Sequence, residues 1–219
     1  MARLLSERNI VNSNETLVIN PDNLKDILLD NGSLGKNSVV HAALTHEESS
    51  YIVHKLLEPE LQKLIDSNIA PDVFFDVVDA KLPHIEKASE SGCNVAIYNV
   101  TCDAGTAIER AFQRGIYTNR FVPTEVVLSG SRKNAGNLGM YVKLAEHFEL
   151  FDTHTEDCSL IADKIGIESP LNIYEQRLFE AHLLKKHIKS VSETGKAVDK
   201  KEKGDRQGIR KDEQRCAMP

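Results

Sequence analysis

No apolar run in the sequence approaches the roughly 20 residues that a helix needs to cross a bilayer, and the opening MARLLSERNIVNSNE has no apolar stretch followed by a small-residue cleavage site. A membrane-spanning helix and a secretory signal therefore drop out of the reading. The expected location is the cytoplasm, with delivery as a secreted effector left open. Cys93, Cys102, Cys158 and Cys216 are scattered and form no CxxC pair, which argues against a zinc ribbon, a thioredoxin-type motif or a disulfide framework and reads as free thiols. An excess of positive charge is missing too: a formal net charge of −6 leaves no basic footprint for duplex nucleic acid. The tail lacks the aromatic interleaving that single strands stack on. Small anionic substrates stay compatible with this balance, and no internal repeat is present.

What is there is the composition of a globular protein, 41% apolar and 27% charged over 219 residues, enough for one domain and a tail. TLVI (16–19) reads as a buried strand ending at Asn20 and Pro21, and NLKDILLD as a short helix after it. Residues 39–68 carry apolar positions at helical spacing, as one helix or as two broken near Pro59. DVFFDVVD and NVAIYNVTC are continuous apolar runs that suit strands buried in a parallel sheet, with LPHIEKASESG between them as a helix closed by Gly92. DAGTAIERAFQRG reads as a helix capped by Asp103 and followed by a loop carrying Gly115 and Pro123. One or two helices follow, and FELFDT reads as a last short strand. Residues 157–188 read as helical, with Ile161, Ile165, Leu178, Leu183 and Leu184 as packing positions. Beyond about Ser190 mixed charge without large apolar residues predicts a disordered tail.

The only Walker-like text, Gly32-Ser33-Leu34-Gly35-Lys36-Asn37-Ser38, has two residues between its glycines and Asn37 after Lys36. A phosphate loop needs four residues between the glycines, Lys followed by Ser or Thr, and a preceding strand. The segment therefore reads as an ordinary connection. Asp22, at a strand's carboxyl end, stands where such sheets bind ligands and where a carboxylate can take a proton from a hydroxyl, or else it caps the next helix. Glu47 and Glu48 suit either a helix dipole or a substrate. Arg110, Arg114 and Arg120 either clamp phosphates from a loop or pair with Glu109 and Glu125, and Arg132 and Lys133 would extend the same surface. His41 and His46 are five apart, off the four-residue spacing of zinc ligands on one helix face.

Taken in order, LVINPDNLK, ALTHEESSYIVHKLL, VFFDVVD and above all GCNVAIYNVTCDAGTAIERAFQRGIYTNRFVPTEVV resemble the zeta toxin family of kinases, as does the stretch through YVKLAEHFELFDT. The resemblance runs from about residue 16 to 155, and Asn119 stands where the family's Gly-Arg-Phe-Val-Pro-like loop often has Gly. It implies an α/β fold of the P-loop-kinase type, a parallel sheet flanked by helices, and transfer of a phosphoryl group from ATP or GTP with Mg²⁺ to a hydroxyl of a small substrate such as UDP-N-acetylglucosamine. By matching position Asp22 would be the general base, Arg110 and Arg120 would stabilise phosphates, Glu47, Glu48 and Asp76 would hold substrate, and Arg114 would support the nucleotide end. An antitoxin or other protein partner would accompany such a kinase.

The family's first strand, its Walker loop and a helix precede the strand that LVINPD matches, whereas about fifteen residues precede it here. The expectation is a kinase domain over 1–155 that is incomplete at its amino end, a helical extension over 156–189 and a disordered tail over 190–219. A truncated copy of a full kinase, weak or inactive, accounts for this. The alternative is a non-catalytic interaction or effector protein derived from the same fold.

Overall fold

The computed structural model describes residues 17–30, 47–67, 73–75, 82–118, 121–155 and 157–189. Strand β1 (Leu17–Ile19) leads into helix α1 (Pro21–Asp30). The helix begins at Pro21, whose fixed φ suits a first helical position, so Asp22 lies inside the first turn and Asn20 takes the place before the helix. The expectation that Asp22 caps a helix starting at Asn23 is corrected accordingly.

Residues 47–66 form one helix, α2, despite Pro59. Its middle, Ile52–Leu57, is π-helical, and the Glu58 amide reaches the carbonyl of Val53 five residues back. Proline has no amide to donate, and the wider turn ahead of it lets the helix pass without a break into Glu58–Asp66. Strand β2 (Val73–Phe75) pairs in parallel with β1, Leu17 to Val73 and Ile19 to Phe75. Helix α3 (Leu82–Glu90) ends, as predicted, at Gly92 with φ +78°.

Strand β3 (Ala96–Thr101) runs into α4 (Ala104–Thr118), then α5 (Thr124–Leu144) and β4 (His147–Asp152), which pairs in parallel with β3. Helix α4 takes up Gly115, which the sequence had suggested lies in a loop. The Phe121 ring packs there so closely that a Cβ on Gly115 would sit 2.5 Å from it.

The chain then departs from the expected helical extension. Residues Ser159–Ile165 form β5, antiparallel to β4, and Asn172–Ile173 form β6, antiparallel to β5. Helix α6 (Gln176–Leu184) and a 3₁₀ turn (Lys185–His187) follow. The sheet is therefore mixed, and FELFDT is not its last strand.

Two features hide β5 in the sequence. A bulge at Ile161 puts Leu160 opposite Phe151 and Ala162 opposite Leu150, which breaks the alternation of apolar residues, and the carbonyl of Ile161 instead accepts the amides of Tyr174 and Glu175. The second feature is a buried lysine, Lys164. Of the expected packing positions Ile161 is fully buried and Leu178 and Leu183 pack against the core, but Ile165 and Leu184 face solvent.

The core forms where α5 lies on β4 and β5. Leu138, Tyr141 and Ala145 meet Phe148, Leu150, Ile161 and Ala162, with Leu82 and Ile85 of α3 and Leu178 and Phe179 of α6 packed around them. Burial of each large apolar side chain here contributes about 1.5–3 kcal/mol. Phe151, on the other face of β4 by strand alternation, is also fully buried.

Among the described residues the strands make two sheets, β1–β2 and β3–β4–β5–β6, and β2 and β3 are not ladder partners. Cys93, Cys102 and Cys158 are free thiols, and no described helix is long and apolar enough to cross a membrane. Cys216 and the segments 32–38 and 190–219 lie outside the described residues.

Lys164 secures the end of α5. Its Nζ donates to the carbonyls of Val142 (2.6 Å) and Ala145 (3.0 Å), which have no helical amide to accept from, and its charge suits the helix carboxyl end. Lys164→Met keeps the length of the stem and leaves those carbonyls buried without a donor. A loss of about 1–3 kcal/mol is expected in urea unfolding, against under about 0.5 kcal/mol for the exposed Lys143→Met.

Candidate functional site

Parallel strands β3 and β4 end side by side, and the chain turns polar at both exits. β3 closes with Thr101-Cys102-Asp103 and β4 with Asp152-Thr153-His154. The pairing continues beyond the strands, because the amide (2.8 Å) and hydroxyl (3.1 Å) of Thr153 both donate to the Thr101 carbonyl. In open α/β sheets this carboxyl edge is where ligands bind.

On the outer side of the edge Asp103 caps α4, as the sequence predicts. Its Oδ1 accepts the Thr106 amide at 2.9 Å, and its Oδ2 accepts the Thr106 hydroxyl and lies 2.7 Å from Nδ1 of His154. The backbone of His154 is held as well: its amide donates to Asp152 Oδ1 (3.2 Å), and its carbonyl accepts Nη2 of Arg110 (3.0 Å). Burial by itself would raise the Asp103 carboxyl, but hydrogen bonds from the Thr106 hydroxyl and amide and from His154 outweigh it and hold the group below its ordinary value.

Beneath this layer the carboxyl-terminal segment closes on β3. Lys185 donates to the Thr101 hydroxyl and to the Cys102 carbonyl, and His182 Nδ1 lies 3.0 Å from the same hydroxyl. Both side chains are buried, and His182 Nε2 has no hydrogen-bond partner among the described residues. Burial lowers the Lys185 ammonium, an effect that Cys102, Asp152 and Asp103 partly offset. The Cys102 thiol is raised by burial and drawn partly back by Lys185 and Arg110. Burial, with Lys185 alongside, pushes His182 down to about 4, so its imidazole is neutral near pH 7.

Of the residues singled out from the sequence, Arg110 stands on this edge. Arg114 is exposed one turn further along α4. Asp22 follows β1, at the exit of the other parallel pair, and Glu47 and Glu48 are exposed in the opening turn of α2. Asp76 and Arg120 lie outside the described residues. Arg132 belongs to the structure rather than to the edge, since it pairs with Glu125 and donates to the Ile188 carbonyl.

Known protein families, curated proteins and solved structures provide no match to the chain. The site therefore rests on its own geometry.

Thr101, Cys102, Thr106, His154, His182 and Lys185 were not singled out from the sequence. A signal existed for some of them: a polar triplet follows each buried strand, the reasoning that had drawn attention to Asp22. No local pattern marks His182 or Lys185, which come to Thr101 from more than 80 residues away (separations 81 and 84).

The neutral His182 makes stability depend on pH. Its folded pKa lies below the ordinary 6.5, so the unfolded chain binds the extra proton between about 6.5 and about 4. The contribution is fully present above pH 6.5 and is lost as pH falls toward 4, about 3 kcal/mol in all. Urea titrations of the wild-type chain and of His182→Gln at pH 7 and pH 4.5 are expected to converge at the lower pH.

Proposed function

We propose that this chain has the scaffold of a zeta-toxin-like phosphotransferase that moves a phosphoryl group from ATP or GTP to a hydroxyl of a small substrate, with UDP-N-acetylglucosamine as the acceptor to try. The observation that carries the reading is the placement of Arg110, whose guanidinium sits at the carboxyl edge of a parallel strand pair beside the amino end of α4. A guanidinium there neutralises charge that develops on the phosphoryl oxygens of an in-line transfer. The division of the parallel strands into β1–β2 and β3–β4 agrees with the same resemblance, in which the strand carrying the phosphate loop is a central one.

In this reading Asp22 accepts the proton of the attacking hydroxyl, Arg110 and Arg120 hold the phosphates, Arg114 supports the nucleotide, and Glu47, Glu48 and Asp76 contact the acceptor. The nucleotide's phosphates fit the exposed Arg110 edge. Mg²⁺ fits less well: no group of three or more His, Cys, Asp or Glu among the described residues is arranged to hold a metal ion, and the segment 32–38 lacks Walker spacing. The ion's share of the chemistry is therefore not assigned to residues.

A second reading, a non-catalytic interaction protein built on the same fold, is favoured by a different observation. Phe112 and Ile116 of α4 are exposed, the Phe112 ring lies 5.7 Å from that of Phe121, and Tyr117, Val122 and Val126 are exposed next to them in the chain. Large apolar side chains grouped in this way mark contact surfaces.

Transfer of labelled γ-phosphate from ATP or GTP to UDP-N-acetylglucosamine separates the two. Arg110→Ala is expected to lower transfer on the order of 10²-fold with an unchanged circular dichroism spectrum. An intact chain that transfers nothing sinks the phosphotransferase reading and leaves the interaction protein, for which Asp22→Asn should not alter partner binding.

A further inference from the structure

Histidines paired with carboxylates occur at several places in this chain, and most are ties between surface elements. His54 Nδ1 (2.7 Å) and His84 Nε2 (3.1 Å) share the two oxygens of Glu58, which links α2 to α3. His147 lies 3.3 Å from Glu149 on its own strand. His154 differs in three respects. It sits at the joint carboxyl end of two parallel strands, its partner carboxylate comes from the neighbouring strand's exit 51 residues away, and a guanidinium shares the site.

The geometry fixes where its proton lies. Asp103 Oδ2, an acceptor, is 2.7 Å from Nδ1, so Nδ1 carries the hydrogen, and in the neutral ring the lone pair is on Nε2. The Thr106 hydroxyl, 3.2 Å from Nδ1, gives its own proton to Asp103 and does not compete for that role. No bond to Nε2 is formed among the described residues, and the side chain is 58% exposed, so a ligand can reach it. The residue is nevertheless anchored: its backbone amide and carbonyl are taken by Asp152 and Arg110, and its ring is held at Nδ1 by Asp103. A surface tie needs none of this. Arg110 uses one nitrogen on the His154 carbonyl and has further donors on the same fork.

We propose that His154, oriented by Asp103, is a proton acceptor for a hydroxyl of the small acceptor substrate while the phosphates of the nucleotide lie against Arg110. The proposal rests on the phosphotransfer reading and deepens it by giving the proton-accepting step to His154 and not to Asp22. The substrate hydroxyl passes its proton to Nε2, and the resulting imidazolium is stabilised by the Asp103 carboxylate. The freed oxygen forms a bond to the γ-phosphorus as the bond from that phosphorus to the nucleoside diphosphate breaks, and the imidazolium then returns its proton to water. Asp103 is a positioning residue here and touches no substrate. The charged groups facing His154 are Asp103, Asp152 and Arg110.

Two measurements on the full chain test this separately. The first needs no turnover: long-range ¹H–¹⁵N spectra of the histidine rings report the tautomer, and diethyl pyrocarbonate with peptide mapping reports the reactivity of Nε2. His154 is expected in the Nδ1–H form and to be modified faster than His84 and His187. Asp103→Asn, which keeps a good helix cap, is expected to mix the tautomers and slow the modification. An Nε2–H tautomer, or a rate that Asp103→Asn leaves unchanged, overturns the dyad. The second is the γ-phosphate transfer assay with UDP-N-acetylglucosamine, in which His154→Gln is expected to lower kcat on the order of 10²-fold with KM little changed. Transfer that survives His154→Gln and is lost in Asp22→Asn overturns the role. No transfer by the wild-type chain, with the tautomer and reactivity as expected, overturns the phosphotransfer reading and keeps the dyad.

Discussion

The carbonyl and hydroxyl of Thr101 bring together three parts of the chain that are far apart in sequence. The carbonyl accepts the amide and hydroxyl of Thr153, which carries the parallel pairing of β3 and β4 past the end of both strands. The hydroxyl meets Lys185 and His182, which seat the segment after β6 against the same point. His154 follows Thr153 directly and Asp103 lies two residues after Thr101, so the distance between their side chains depends on how Thr101 ties the two exits. A loop pair without that tie would have to order both residues at the cost of their backbone entropy, about 1–2 kcal/mol each.

Three basic side chains inside the molecule share one logic. Lys164, Lys185 and His182 are all buried, and a buried charge is costly unless it is paired or neutralised. Lys164 meets its cost with two carbonyls at the end of α5, where a cation is favoured. His182 meets it by losing its proton. Lys185 does neither fully: it has two oxygen partners, while burial weakens its hold on the proton. The first residue completes the core, and the other two fix the floor under the polar edge.

The sequence makes local structure legible where a residue's own backbone preference decides it. Gly92 ends α3, Asp103 caps α4, and the apolar runs of β1, β2 and β3 are strands. It is much less informative where tertiary contact overrides pattern. β5 carries an inward lysine and a bulge, so its text looks helical, and Gly115 looks like a loop residue until Phe121 is found packed on it. Pro59 suggests a break that a π-helical turn removes. Arg110 was singled out in the sequence, and the structure places it on the β3–β4 edge. His154 was not, because its meaning comes from a carboxylate 51 positions away.

The division of the strands into two sheets has a mechanical consequence. In a continuous parallel sheet the carboxyl edges of all strands form one rigid rim, whereas among the described residues the exits of β1 and β3 belong to different ladders. Val18, Phe75 and Val100, strand residues that a fully covered parallel sheet would bury, are exposed. Of the described ion pairs from α2 to α3, Asp66 with Lys87 is exposed at both ends and contributes only about 0–1 kcal/mol, while Glu58 with His84 has one exposed and one largely covered partner. Buried apolar residues such as Ile19 and Val53 must therefore do more of the holding in that half. The β3–β4 edge, by contrast, is backed by the buried cluster of α5, β4 and β5 and by the bonds at Thr101. Chemistry that demands fixed distances is better served by groups on one edge, such as Asp103, His154 and Arg110, than by a pair split between the two ladders, such as Asp22 and Arg110.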